Sequence, residues 1–130
     1  MSEVISEVIL DSSALLALIY QESGSDIVAK EKQVAISTVN FTEVVTKLIE
    51  RGMSETDIQD TLAALNLTIV SYDEKMAYEA GKLRTSTRTL GLSLGDRACL
   101  ATARIRGASV LTADKIWLKA NVGIEIRCIR

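Results

Sequence analysis

Four acidic residues at separate places along the chain are the ones best suited to chemistry: Asp11, Glu43, Asp96 and Asp114. The chain contains no histidine. That absence excludes Ser-His-Asp and Cys-His nucleophiles, histidine-rich zinc sites and acid–base catalysis by histidine pairs. Chemistry in this protein must therefore depend on carboxylates, hydroxyls, lysines or arginines.

Two of the acids follow short apolar segments that are typical of strands. Asp11 comes directly after Val8–Leu10, and Asp114 lies just past the end of Ser109–Leu111. In an open parallel sheet, ligands bind beyond the carboxyl ends of the strands. Both carboxylates are therefore predicted to lie where a ligand site should be.

The other two acids lie early in predicted helices that should start at the same edge of the sheet. Glu43 lies about one turn into a helix that begins at Ser37 or Thr38, and Asp96 lies in the first turn of a helix from about Ser93. We therefore predict that all four carboxylates converge at one edge of the sheet.

Carboxylates that converge this closely repel one another and stay ionised together only if a cation shares the site. Oxygen ligands without histidine or thiolate favour Mg²⁺ or Mn²⁺ over zinc, so a divalent metal site is expected. A purely structural role also fits. Asp11, Asp96 and Asp114 suit helix capping, and Glu43 suits a solvated helix face.

The elements that must position these acids alternate between strands and helices, which predicts an α/β fold with a mainly parallel sheet of about five strands flanked by helices. A length of 130 residues, 48% hydrophobic and 4% aromatic, predicts one domain over residues 1–130 with an aliphatic core. The predicted strands are Val8–Leu10, Val34–Ile36, Thr68–Val70, Ser109–Leu111 and Ile124–Ile129. The predicted helices are Ala14–Tyr20, Ser25–Lys30, Thr38–Arg51, Ser54–Leu65, Asp73–Ser86, Ser93–Arg106 and Asp114–Ala120.

A cytoplasmic location without membrane contact is expected from the apolar runs and the N-terminus. No apolar run reaches the roughly 18 residues that span a bilayer, and the first residues include Glu3 and Glu7 instead of a signal sequence. Cys99 and Cys128 are expected to be free, buried thiols. With a net charge of -2, the chain lacks the overall basic character of a general nucleic-acid binder.

Four segments, taken in order, carry a family resemblance. They are VILDSSALLAL from Val8, STVNFTEVV from Ser37, SLGDRACLATA from Ser93 and SVLTADKIW from Ser109. They resemble the PIN-domain family, and most closely the VapC-type toxins of prokaryotic toxin-antitoxin pairs. The resemblance extends from Val8 to Trp117, which is nearly the whole domain.

The resemblance implies an endoribonuclease that hydrolyses RNA phosphodiester bonds and is neutralised by a VapB-type antitoxin. It implies that the four acids bind one or two Mg²⁺ or Mn²⁺ ions. By the same resemblance, the hydroxyls of Ser13 and Thr112 support the site, although both equally suit turn and cap positions. A basic side chain of the antitoxin is expected to insert among the acids.

Cations near the acids are the candidates for binding RNA phosphates: Arg97, Arg84, Arg88 and Lys115. Arg84 and Arg88 also suit an ordinary solvated surface. Trp117 is predicted to anchor the core and not to stack on bases. A homodimer and a groove for an antitoxin peptide are expected because the helices at 54–65 and 73–86 carry many apolar residues, namely Ile58, Leu62, Leu65, Met76 and Leu83.

Two alternatives stay open at this point. A receiver-like signalling module shares the size and layout, but such modules carry an adjacent acidic pair after the first strand, and Asp11 is followed by Ser12 and Ser13. A catalytically inert PIN scaffold would keep the acids only as helix caps.

Overall fold

The computed structural model describes residues 6–130 and contains a five-stranded parallel sheet of order β3-β2-β1-β4-β5. The strands are β1 (Val8–Leu10), β2 (Val34–Ser37), β3 (Leu67–Val70), β4 (Ser109–Thr112) and β5 (Ile126–Cys128). The helices are α1 (Ser12–Tyr20), α2 (Ser25–Ala29), α3 (Thr38–Glu50), α4 (Glu55–Ala63), α5 (Glu74–Lys82), α6 (Arg84–Thr87) and α7 (Leu94–Arg106), with 3₁₀ turns at Arg88–Leu90 and Lys115–Lys119. The predicted α/β class and parallel sheet are confirmed.

Helices cover both faces of the sheet. Successive residues of a strand point to opposite sides, so neighbouring residues pack against different helices. Ile9 and Val110 pack with α5 and α7, whereas Leu10 and Leu111 pack with α1 to α4. The three central strands β1, β2 and β4 are therefore buried on both faces, as the apolar runs in the sequence predict, whereas the outer strands β3 and β5 are more exposed.

Side-chain caps set where several helices begin. Ser37 accepts a hydrogen bond from the backbone of Val39 at the start of α3, and Asp73 accepts one from Met76 at the start of α5. Helix α7 begins with a capping box between Ser93 and Asp96. Because these caps are encoded locally, the helix starts agree with the sequence prediction to within two residues.

The prediction of one continuous helix over 73–86 is wrong. Helix α5 ends at Lys82, and the chain continues as the short helix α6 and a 3₁₀ turn. The hydroxyls of Ser86 and Thr87 both donate to the carbonyl of Leu83. Hydroxyl side chains of this kind compete with the helical backbone for its hydrogen-bond partners, which favours the break.

The predicted helix over 114–120 is a 3₁₀ turn, because Trp117 N–H donates to the carbonyl of Asp114, three residues earlier. Trp117 itself is fully buried in the core, which confirms its predicted role as an anchor. The last strand is shorter than the predicted Ile124–Ile129.

The apolar residues on which a homodimer was expected are largely covered within the chain. Ile58, Met76 and Leu83 are buried in the core. The large hydrophobic side chains that face solvent within residues 6–130 are Ile49, Ile69, Tyr78, Leu94 and Leu118, of which Tyr78 alone lies in the segments 54–65 and 73–86. The expected homodimer therefore loses most of its stated basis and stays a prediction.

Both cysteines are free, but only Cys99 is buried, whereas Cys128 is half-buried. Over residues 6–130, no helix combines the length and the apolar character needed to span a bilayer. Glu3, one of the residues used to predict the location, lies outside the described part of the chain.

Candidate functional site

The order of the strands reverses at β1, which places a crevice beyond the carboxyl ends of β1 and β4. The chain runs outward from β1 to β2 and β3, then crosses back to β4 on the other side of β1. Leu10 pairs with Leu111, so Asp11 and Thr112 follow at neighbouring positions. Such a switch point is where open α/β sheets bind ligands.

Asp11 is held rigidly at this crevice and is only 4% exposed. Its Oδ1 accepts a hydrogen bond from the backbone of Ala14 at 2.8 Å, which caps α1. Its Oδ2 accepts one from the Thr112 hydroxyl at 2.6 Å. The Ser13 hydroxyl donates to both oxygens at 2.7 and 2.9 Å, and it accepts from the backbone of Ala113. The carboxylate therefore ties β1, α1 and the end of β4 together.

Burial raises the pKa of Asp11 from 3.8 to about 6. The hydrogen bonds from Thr112, Ala14 and Ser13 oppose this rise, and the negative charge of Asp96 adds to it. The contribution of Asp96, which lies in the first turn of α7, is the smallest of these causes.

Asp96 and Asp114 each use one carboxylate oxygen to accept a backbone hydrogen bond at the start of a helical segment. Asp114 is the N-cap of the 3₁₀ turn at Lys115–Lys119, whereas Asp96 lies in the first turn of α7 and completes the capping box with Ser93. Asp96 Oδ2 accepts from the backbone of Ser93 at 2.9 Å, and Asp114 Oδ1 accepts from Ile116 at 3.1 Å. The remaining oxygen of each has no hydrogen-bond donor within residues 6–130. Burial raises the pKa of Asp96, and the charge of Asp114 adds to the effect.

Glu43 reaches the same place from α3. Asn40 Nδ2 donates to Glu43 Oε1 at 2.9 Å and to the carbonyl of Gly95 at 3.0 Å. Glu43 Oε2 would lie only 2.5 Å from a Cβ atom on Gly95, so the carboxylate rests directly against α7, one residue before Asp96. Asn40 is not predicted as a site residue from the sequence, where its only signal is its position three residues before Glu43.

Three of the four acids act on the same buried residue of α7, Cys99. Burial raises the pKa of the Cys99 thiol well above its usual range, and the charges of Asp11, Asp96 and Glu43 add to this rise. Within the described residues, however, no three Asp, Glu, Cys or His side chains stand close enough to hold one metal ion as they are placed. The predicted acids therefore affect one another's charge, but they do not form a complete set of metal ligands as they are placed.

The predicted substrate-binding cations are divided between two environments. Arg97 donates from Nη1 to the carbonyl of Ala80 at 3.1 Å, so its guanidinium joins α7 to α5. Arg84, Arg88 and Lys115 are exposed. RNA contact stays a prediction for all four, and it is weakest for Arg97, because one donor of its guanidinium is already used in helix packing.

An apolar groove of about 620 Å³ lies between α3 and α4, and none of the four predicted acids lines it. It is lined by Phe41, Val45, Ile49, Glu55, Ile58, Gln59 and Leu62. Ile49 is 60% exposed, which makes this groove part of the uncovered hydrophobic surface of the chain.

Several solved structures are similar to this fold over nearly the whole chain. A toxin-antitoxin complex from Klebsiella pneumoniae is similar at a TM-score of 0.73 and 20% identity, over 95% of this chain and 98% of that one. DNA-bound VapBC from Salmonella typhimurium gives a TM-score of 0.76 and 17% identity, over 96% and 99% of the two chains. VapC20 from Mycobacterium tuberculosis, a sarcin-ricin loop cleaving toxin, gives 0.72 and 16%, over 91% and 98%.

At these identities the similar structures establish the fold alone. No curated protein sequence matches the chain. The model of the PIN domain matches residues 8–122, which is most of the sequence and includes all four predicted acids. The chain belongs to the PIN domain family.

Proposed function

We propose that this protein is a VapC-like, metal-dependent endoribonuclease that hydrolyses RNA phosphodiester bonds. The observation that carries the proposal is the buried carboxylate of Asp11 at the β1–β4 crevice, which shares its electrostatic environment with Asp96. Asp114 in turn acts on Asp96, and Glu43 rests against the residue before it. The four acids are thus linked in pairs, Asp11 with Asp96, Asp96 with Asp114, and Glu43 with the residue before Asp96, in a chain without histidine.

The donor set fits Mg²⁺ or Mn²⁺, which prefer oxygen ligands. Asp96 and Asp114 each keep one free oxygen, and the absent side chain of Gly95 leaves room for the Glu43 carboxylate. Asp11 accepts four contacts from three donors, about as many as the roughly four lone-pair sites of a carboxylate, so one of the two Ser13 contacts must give way to an ion. Binding requires the free oxygens to turn inward from their present positions.

When bound, such an ion supplies positive charge to the phosphate group and lowers the pKa of a water molecule. The chain's own residues do the positioning. Ser13 and Thr112 hold Asp11 in one orientation, while the exposed side chains of Arg84, Arg88 and Lys115 offer charge to the RNA backbone.

The proposed partner is a VapB-type antitoxin, and the α3–α4 groove is where we place its apolar segment. Support comes from the similar structures, several of which are toxin-antitoxin complexes that match over nearly their whole length. A basic side chain of such a partner would neutralise the acids in place of a metal ion. A homodimer is a further expectation, which the mass in solution would test.

The proposal is tested by incubating the purified chain with RNA and Mn²⁺. Cleavage is expected with Mn²⁺ and not with EDTA. Asp96→Asn should lower the rate by at least about 100-fold, because loss of a ligand should exceed the roughly 10–100-fold cost of losing an outer-shell partner. Ser93 stays the N-cap of α7, and the amide oxygen of the asparagine side chain can still accept the bond from the Ser93 backbone, so the variant should fold.

Asp60→Asn, an exposed change in α4, is the matched control and should cleave as the parent does. RNA that stays intact with the parent chain and Mn²⁺, or equal cleavage by Asp96→Asn, contradicts the proposal. Of the alternatives, the receiver-like module does not agree with membership of the PIN domain family. The inert scaffold predicts no cleavage at all.

A further inference from the structure

Two residues outside the acidic set, Asn40 and Gly95, fix the position of Glu43. We propose that Asn40 and Gly95 form a bracket that holds the Glu43 carboxylate beside Asp96. In this arrangement Asn40 and Gly95 are positioning residues for a divalent ion. This inference rests on the proposed metal-dependent function.

Asn40 is 1% exposed, and its side-chain nitrogen joins the two helices. Nδ2 donates to Glu43 Oε1 at 2.9 Å and to the carbonyl oxygen of Gly95 at 3.0 Å. Both partners are acceptors, which fixes the orientation of the amide, and both of its N–H groups are used. The bond to the backbone of α7 keeps Asn40 in place, and the bond to Glu43 in turn holds the carboxylate in one position.

The other end of the same amide supports a role beyond packing. Asn40 Oδ1 is buried and has no hydrogen-bond partner within residues 6–130. An unpaired polar atom in the interior costs stability. An apolar side chain would avoid that cost, so the contacts of the nitrogen are what explain an asparagine here.

Gly95 lies in the first turn of α7 and is not in the left-handed region that would call for glycine. Glycine within a helix is less favourable than alanine. A Cβ atom at this position would lie 2.5 Å from Glu43 Oε2 and 2.9 Å from Cδ. The missing side chain therefore provides the space in which the Glu43 carboxylate rests.

Gly95→Ala separates the geometry of the site from the stability of the fold. The atoms that a new methyl group would meet belong to the flexible end of Glu43, so the carboxylate moves away and the backbone stays. The helix gains the more favourable residue. Stability and metal affinity are thus expected to change in opposite directions, which a purely structural role of Gly95 would not produce.

The experiment is calorimetric titration of Mn²⁺, combined with thermal melting of the metal-free protein. Gly95→Ala should melt at or above the temperature of the parent and bind Mn²⁺ about 10–100-fold more weakly, the usual effect of losing an outer-shell partner. Gly81→Ala is the matched control, since this helical glycine in α5 has nothing within 4 Å of its Cβ position. It should gain stability and keep the affinity of the parent.

Asn40→Ala should also weaken Mn²⁺ binding, and the double variant should bind no more weakly than the weaker single variant, because both changes act on Glu43. Parent-like affinity in Gly95→Ala overturns the bracket even if Asn40→Ala does not fold. If the parent binds Mn²⁺ and cleaves RNA while Gly95→Ala binds equally well, only the bracket fails. A parent that binds no Mn²⁺ overturns both the bracket and the proposed function.

Discussion

Asp11→Asn is expected to stabilise the metal-free protein at neutral pH by about 1–3 kcal/mol. Burial raises the pKa of Asp11 from 3.8 to about 6. As the pH rises from 4 to 6, the unfolded chain therefore gives up this proton before the folded protein does, and the free energy of unfolding falls. The full cost of about 3 kcal/mol is present above pH 6.

Asparagine removes this cost because it carries no charge, and its oxygen can still accept the capping bond from Ala14. Part of the gain is lost because its amide accepts fewer of the bonds from Ser13 and Thr112. Urea unfolding in EDTA at pH 7.5 and pH 4 measures the difference. The gain should be large at pH 7.5 and small at pH 4, whereas the exposed control Asp60→Asn should show no such dependence.

With Mn²⁺ present, the parent should become more stable than Asp11→Asn. The ion stabilises the parent by binding its folded state, whereas the variant lacks one of the ligands. A variant that is less stable than the parent at both pH values would show that Asp11 serves only as the cap of α1.

Thr112→Val is expected to destabilise the protein by about 1.5–3 kcal/mol at pH 7.5, the usual contribution of a hydrogen bond to a charged group. The Thr112 hydroxyl donates to Asp11 Oδ2 at 2.6 Å and is fully buried. This bond lowers the pKa of Asp11, so its loss should move that pKa above about 6. The loss of stability should shrink toward pH 4, where the carboxyl group is protonated in the variant and the parent alike.

Thr102→Val provides the matched control, because Thr102 is also fully buried but its hydroxyl donates to the carbonyl of Ala98. Urea unfolding across pH 4–8 should give a constant difference for Thr102→Val and a pH-dependent one for Thr112→Val. Equal pH profiles for the two variants would mean that Thr112 does not act on the charge of Asp11.

Much of the fold was predictable because its signals are local. The apolar run before Asp11 predicts a strand, and the serine and aspartate caps predict where α3 and α7 begin. The break after Lys82 was not predicted. It depends on hydroxyls that bond to the backbone of Leu83, which the apolar periodicity of that segment does not reveal.

The site was less predictable than the fold, since it depends on how distant elements meet. The sequence identifies Glu43 as an acid, but only the approach of α3 to α7 shows that Asn40 and Gly95 hold it. Arg97 lies next to Asp96 in the sequence, yet its guanidinium donates to Ala80 on α5. Neighbours along a helix face different directions, so adjacency in the sequence did not predict a shared role.

Calorimetric titration of Mn²⁺ into the unmodified chain at pH 7.5, with Asp11→Asn in parallel, decides whether these carboxylates share a divalent ion. Saturable binding by the unmodified chain, lost in Asp11→Asn, is predicted. If the unmodified chain shows no saturable binding, or if Asp11→Asn binds equally well, the acids have structural roles only and the proposed metal-dependent nuclease is wrong.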